Sequence, residues 1–166
     1  MSEYKTVFGS MDSYEKGDLE IINDNPKYYT FSNIFDVAHQ SAPYEKVVVA
    51  KNQEYVIEAI RSEGQSPWYT CSHDEYVWLM DGEVKIDLIK LDDAENFAPV
   101  DIEGTVKLEG EPTGKTMGWI KLGKGHQALL PKGSAYRFSA SGVGVMMQQT
   151  IQGSLTVEKW AQICEC

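Results

Sequence analysis

The sequence has no long hydrophobic run. Nothing in it approaches the roughly 18 or more consecutive apolar residues that a membrane-spanning helix needs, and the opening Met1-Ser2-Glu3-Tyr4-Lys5 has no apolar core of a signal segment. Positive charge is also scarce. Fifteen Lys and Arg face 25 Asp and Glu, for a formal net charge of −10. Phosphate binding needs a clustered basic surface, so a nucleic-acid partner is excluded as an expectation. The three cysteines have no framework spacing: Cys71 stands alone, and Cys164 and Cys166 end the chain. Structural disulfides are therefore not expected, and the cytoplasm is the expected compartment. P-loop, dinucleotide and nucleophile-elbow signatures are missing as well.

What is present is strand after strand. Residues 1–45 read as an irregular, aromatic-rich arm in which Tyr28, Tyr29, Phe31, Ile34 and Phe35 form an apolar cluster that needs cover from the barrel or a partner. Residues 46–166 read as one β domain. Lys46 to Ala50 is a strand, while Gln53 to Arg61 suits a helix or a strand. Trp68 to Met80 reads as one strand, Asp81-Gly82 as a two-residue hairpin turn, and Glu83 to Leu91 as the returning strand. Residues 92–117 are acidic and read as an exposed excursion. Short strands follow at Gly118 to Leu122, Ala128 to Leu130, Tyr136 to Phe138 and Val143 to Ile151. Many short strands with frequent turns predict an all-β barrel with a few short helical turns.

Two segments carry a resemblance. Glu75 is followed after six residues by Gly82, and Gly125 is followed after five by Pro131-Lys132-Gly133. This pattern of turns and strands resembles the two motifs of the cupin superfamily, whose fold is a double-stranded β-helix or jelly-roll barrel. In metal-binding members two histidines precede the glutamate and a third follows the Pro-x-Gly. The matching positions here are Tyr69, Cys71 and Tyr136, with Glu75 retained. Ferrous iron favours imidazole and carboxylate donors, so the resemblance implies a scaffold whose ligand positions are degenerate. A rescue set remains open. If Tyr69, Cys71, His73 and Glu75 share one strand face, then His73, Glu75 and His126 offer two imidazoles and a carboxylate.

The other face of the same strand carries Tyr76, Trp78 and Met80. An apolar row of this kind suits a partner interface, or cover by the arm. Trp68 and Trp119 read as packing residues, and Cys71 as a buried inert thiol.

A narrower resemblance rests on Lys46-Val47-Val48-Val49-Ala50-Lys51-Asn52-Gln53-Glu54, on Ser66-Pro67-Trp68-Tyr69-Thr70-Cys71-Ser72-His73-Asp74-Glu75 and on Met80-Asp81-Gly82-Glu83-Val84. It is to the small subunits of two-component hydroquinone 1,2-dioxygenases. It implies pairing with a larger cupin subunit in a heterotetramer, self-association, a small aromatic substrate and no membrane role. It further implies that Fe(II) sits in the partner and that this chain has no cofactor of its own. Trp78, Tyr76 and Met80 would then dock on or wall the partner's active site. Glu75 would hydrogen-bond inside the barrel, and Tyr69 and Tyr136 would fill the space of lost ligands. Two alternatives stand beside it: a self-sufficient metal cupin using His73, Glu75 and His126, and a metal-free cupin holding a small aromatic ligand.

Overall fold

The computed structural model describes residues 32–160. Its elements in chain order are α1 (Ile34–Gln40), β1 (Lys46–Asn52), β2 (Tyr55–Gln65), β3 (Tyr69–Thr70), β4 (Glu75–Asp81), β5 (Glu83–Leu91), α2 (Ala94–Phe97), β6 (Val106–Lys107), β7 (Gly114–Gly123), β8 (Gln127–Leu130), β9 (Ser134–Ile151) and β10 (Thr156–Val157). The strands join in one sheet that curls on itself, a mostly-β, cupin-like jelly roll. No helix among the described residues is long and apolar enough to cross a membrane.

The curl follows from β9. It pairs with β2 along most of its length, with β3 and β5 through its first half, and with β4 through its second. Two separate strands were expected here. The Ala140 to Gly144 stretch instead bends without turning, because its small residues admit neighbours to the backbone. A Cβ on Gly144 would lie 2.6 Å from both the Asp81 carbonyl and Ser62 Oγ. Opposite it, β2 shifts register between Ser62 and Gly64. β2 itself is extended, not helical, because pairing with β1 and β9 satisfies its backbone on both sides while burying Val56, Ala59 and Ile60.

Three expectations are corrected. Asp81-Gly82 is no hairpin: β4 pairs with β8 and β9, β5 with β7 and β9, and Gly82 (φ 86°) is a corner between the two halves of the barrel. Trp68 to Met80 is not one strand, since the chain breaks out at residues 71–74 between β3 and β4. Residues 92–117 are not all exposed excursion. β6 pairs with β3, while Thr105 and Leu108 are buried.

The core lies between the halves, where Val77, Leu79, Ile86, Leu130, Tyr136, Phe138 and Met146 meet almost without solvent contact. In the arm, Ile34 and Phe35 lie on α1, whose first turn is capped by the Asn33 side chain accepting from the Phe35 amide at 3.0 Å. Tyr28, Tyr29, Phe31, Cys164 and Cys166 lie outside the described residues.

Candidate metal centre and the buried polar core

Period-two alternation on β4 sends Glu75, Val77 and Leu79 inward, each fully buried, and turns Tyr76 outward at 45% exposure. Trp78 and Met80 share the outer face and are half-buried. Tyr76 and Trp78 stack with ring centroids 6.4 Å apart. Trp78 donates its indole N–H to Gln127 Oε1 at 2.9 Å, and exposed Leu129 sits opposite Tyr76 on β8.

A carboxylate buried this deeply needs donors, and Glu75 has three. Tyr136 donates its phenol to Oε2. Thr105 and Thr150 donate their hydroxyls to Oε1 at 2.6 and 2.7 Å. The network continues across the barrel. Gln148 donates to the Tyr136 oxygen at 3.2 Å and accepts from Lys46 Nζ at 2.8 Å. Lys46 lies 3.5 Å from the carboxylate of Glu58, which also accepts from Thr156 at 2.9 Å. Burial pushes the Glu58 carboxyl up, against the pull of Lys46 and Thr156, while the charge of Glu75 adds to the rise. Burial and the adjacent Glu75 hold the Tyr136 phenol well above its ordinary range, so it stays a donor. Tyr69, whose ring lies 5.8 Å from that of Tyr136, is pushed up to about 12 by burial. Tyr69 and Tyr136 are thus buried, protonated phenols.

Beside this network lies a second group. Cys71, His73 and Glu75 present a sulfur, a ring nitrogen and a carboxylate oxygen that all lie within 4.8 Å of one another. The expectation that this chain has no cofactor site of its own is corrected by that cluster, which could itself coordinate a metal. Alternation along a strand did not produce it. The break at 71–74 folds Cys71 and His73 back toward the start of β4. Cys71 Sγ lies 3.1 Å from His73 Nδ1 and donates to the Gly104 carbonyl at 3.2 Å. Burial, with Glu75 nearby, pushes the thiol up to about 12. His73 Nε2 lies 3.1 Å from Thr150 Oγ1 and 3.3 Å from the Ile151 amide.

His126 does not join them. It sits exposed on the turn before β8, where its Nδ1 accepts from the Gly123 amide at 3.0 Å. Its backbone pairs with Leu79, whereas Glu75 pairs with Leu130. Four residues of strand separate the two levels, roughly 13 Å at the usual rise. The two-histidine set is therefore replaced by Cys71, His73 and Glu75. A thiol in place of an imidazole makes the donor set softer than the one ferrous oxygenases use.

Trp119 also departs from expectation. It is 64% exposed on β7, with Lys85 Nζ 5.7 Å from its ring centre, so it is not a packing residue. Trp68 is buried as expected, with its indole N–H donating to Glu111 at 2.8 Å.

The chain is similar along nearly its whole length to a chain of hydroquinone 1,2-dioxygenase from Sphingomonas sp. TTNP3, solved with 4-hydroxybenzoate bound: 49% identity, 98% of each chain covered, TM-score 0.85. A chain of hydroquinone 1,2-dioxygenase PnpCD, solved with Cd2+ and 4-hydroxybenzonitrile, is 54% identical, with 99% of this chain and 98% of that one covered and a TM-score of 0.81. A structure of PnpCD with Fe3+ matches through a much longer chain, at 10% identity and TM-score 0.54, over 86% of this chain but 39% of that one; this is a likeness of fold alone. No family model and no curated protein matches the sequence.

Proposed function

Because the chain belongs to the hydroquinone 1,2-dioxygenase family, as its 49% and 54% identity to chains matched end to end shows, we propose that it is the shorter subunit of an enzyme that opens the ring of a hydroquinone with O2. The end-to-end match carries this reading. The relatives' structures also contain a longer chain of the same fold, which fits a larger partner of that kind. Their bound molecules, 4-hydroxybenzoate, 4-hydroxybenzonitrile and 4-nitrophenol, are all phenols with a polar group opposite the hydroxyl. Hydroquinone has the same outline. In the proposed reaction the ring opens beside one hydroxyl, both atoms of O2 enter the product, 4-hydroxymuconic semialdehyde, and no outside reductant is needed.

In this reading the outer face of β4 meets the partner. Tyr76 and Trp78, stacked and extended by Leu129 and Met80, form an apolar patch of the kind that interfaces bury, and they would dock on or wall the partner's active site. The arm before β1 would cover neighbouring surface. Co-expression with a longer cupin chain tests the proposal: a stable complex with ring-opening activity is expected, and neither chain alone should turn over hydroquinone. Full activity in the isolated chain would overturn it.

The Cys71, His73 and Glu75 cluster favours a second reading that is compatible with the first, in which this chain carries a metal ion itself. Metal bound in proportion to the purified chain, and removed with loss of thermal stability by a chelator, is its expected signature.

A further inference from the structure

Resting on that second reading, we infer that Cys71, His73 and Glu75, with the Gly104 carbonyl as a fourth donor, form a closed structural site for a thiophilic divalent cation of the zinc class, and not an open oxygen-activating centre.

The donors already crowd one point. Sγ is 3.1 Å from His73 Nδ1 and 3.2 Å from the Gly104 oxygen. A tetrahedral zinc ion with bonds of about 2.3 Å to sulfur and about 2.0–2.1 Å to nitrogen spreads that edge to about 3.6 Å. The site must therefore widen by about half an ångström, within reach of side-chain rotation. Glu75 retains the capacity to bind. A carboxylate offers about four acceptor positions, and its three hydroxyl donors leave one unfilled.

The surroundings suit a ligand histidine, which ordinarily donates its second ring N–H to an oxygen. With the proton on Nε2, His73 donates to Thr150 Oγ1 at 3.1 Å and Thr150 donates its hydroxyl to Glu75. The sulfur lies over the ring, 3.1 Å from Nδ1 and 3.4 Å from Nε2, so the ring must turn to bring the Nδ1 lone pair onto the ion. The Ile151 amide, 3.3 Å from the same Nε2, favours the other tautomer. Binding trades that long bond for a metal–nitrogen bond. The sulfur loses its proton to solvent as the metal–sulfur bond forms, and no electron changes hands.

With four protein donors there is no position left for O2 or a phenol, so the role is structural. The ion would tie the corner at 71–74 to the loop before β6. That loop already reaches the corner through Ser72 Oγ donating to the Ile102 carbonyl at 2.8 Å, and through Thr105 on Glu75.

The test uses the full-length chain, stripped by chelator and titrated with Co2+. One equivalent should bind with a thiolate-to-cobalt charge-transfer band and the intense visible bands of tetrahedral cobalt. Zn2+ should displace it and raise the melting temperature. Cys71→Ser should abolish the charge-transfer band, and Thr150→Val should weaken affinity about 10- to 100-fold. His126→Gln should change nothing. If Cys71→Ser fails to fold by circular dichroism, His73→Gln, altered at a part-exposed side chain, reads the same loss. Absence of the band in the natural chain overturns the proposal. So does a band that survives Cys71→Ser, weak octahedral-type spectra, or a band lost when Cys164 and Cys166 are both changed to Ser, which would move the site to the tail. Failure to assemble with a longer chain would count against the subunit reading alone.

Discussion

Tyr136 and Glu75, sixty-one residues apart in the chain, meet in the barrel interior with the phenol donating to the carboxylate. They come from β9 and β4, so this bond joins two long-range strands at a point no water reaches. Tyr136→Phe removes the donor and leaves Glu75 with two hydroxyls. Losing a donor to a buried charged acceptor costs about 1–3 kcal/mol, and the urea midpoint should fall accordingly. An unchanged midpoint would mean the bond contributes nothing.

Glu58 sets a pH dependence. Its folded carboxyl is held above the ordinary value of about 4.3 by burial first of all. Between the two values the unfolded chain has lost the proton and the folded chain retains it. The contribution of this group to stability is thus fully present below about pH 4 and is lost as pH rises through the folded value. The free-energy difference between the natural chain and Glu58→Gln, followed by denaturant unfolding from pH 4 to 8, should move steadily in favour of the variant. A difference that is flat with pH would contradict the assignment.

Trp78 separates docking from folding. Its side chain is half-buried and holds one exposed hydrogen bond, to Gln127. Trp78→Ala should lower the isolated chain's stability by about 1 kcal/mol while weakening assembly with a longer chain at least tenfold, as truncating an interface aromatic does. Sedimentation velocity on mixed chains measures the second effect. Equal losses in both assays would make Trp78 a packing residue.

Two glycines with similar backbone should respond differently to alanine. Gly82 has φ 86° and a Cβ there would sit 2.9 Å from the Gly144 Cα. Gly125 has φ 83° and open space around it. Gly125→Ala carries the left-handed backbone cost alone, roughly 1–2 kcal/mol. Gly82→Ala adds a backbone clash at the corner between β4 and β5 and should cost clearly more. Melting temperatures of the pair decide it.

Much of this was legible in the sequence because it depends on local chemistry. Alternation on β4 placed Glu75, Val77 and Leu79 inside and Tyr76 outside, and the motif glycines Gly82, Gly125 and Gly133 all take up positive φ. The interior network was not legible, because Thr105, Gln148 and Thr150 look like ordinary polar residues until strands from across the chain bring them to Glu75. A signal existed for two members. Lys46 opens the run Val47-Val48-Val49, and Glu58 interrupts Val56-Ile57-Glu58-Ala59-Ile60; a charge inside an apolar strand marks a buried pair. The metal cluster was half visible. Strand alternation puts Cys71, His73 and Glu75 on one face, and the structure brings these three together, but through the break at 71–74. His126, taken from its place beside Gly125 in the second motif, stays apart on the turn before β8.

The reach of β9 has a consequence for how the protein is made. As the chain leaves the ribosome, β1 can find β2, β5 can find β7 and β4 can find β8, but those three hairpin-like pieces have no common partner. Their apolar faces must wait until Ser134–Ile151 emerges and threads between them. The nascent chain is therefore most exposed to aggregation late in synthesis, after most of its core residues exist and before the strand that assembles them does.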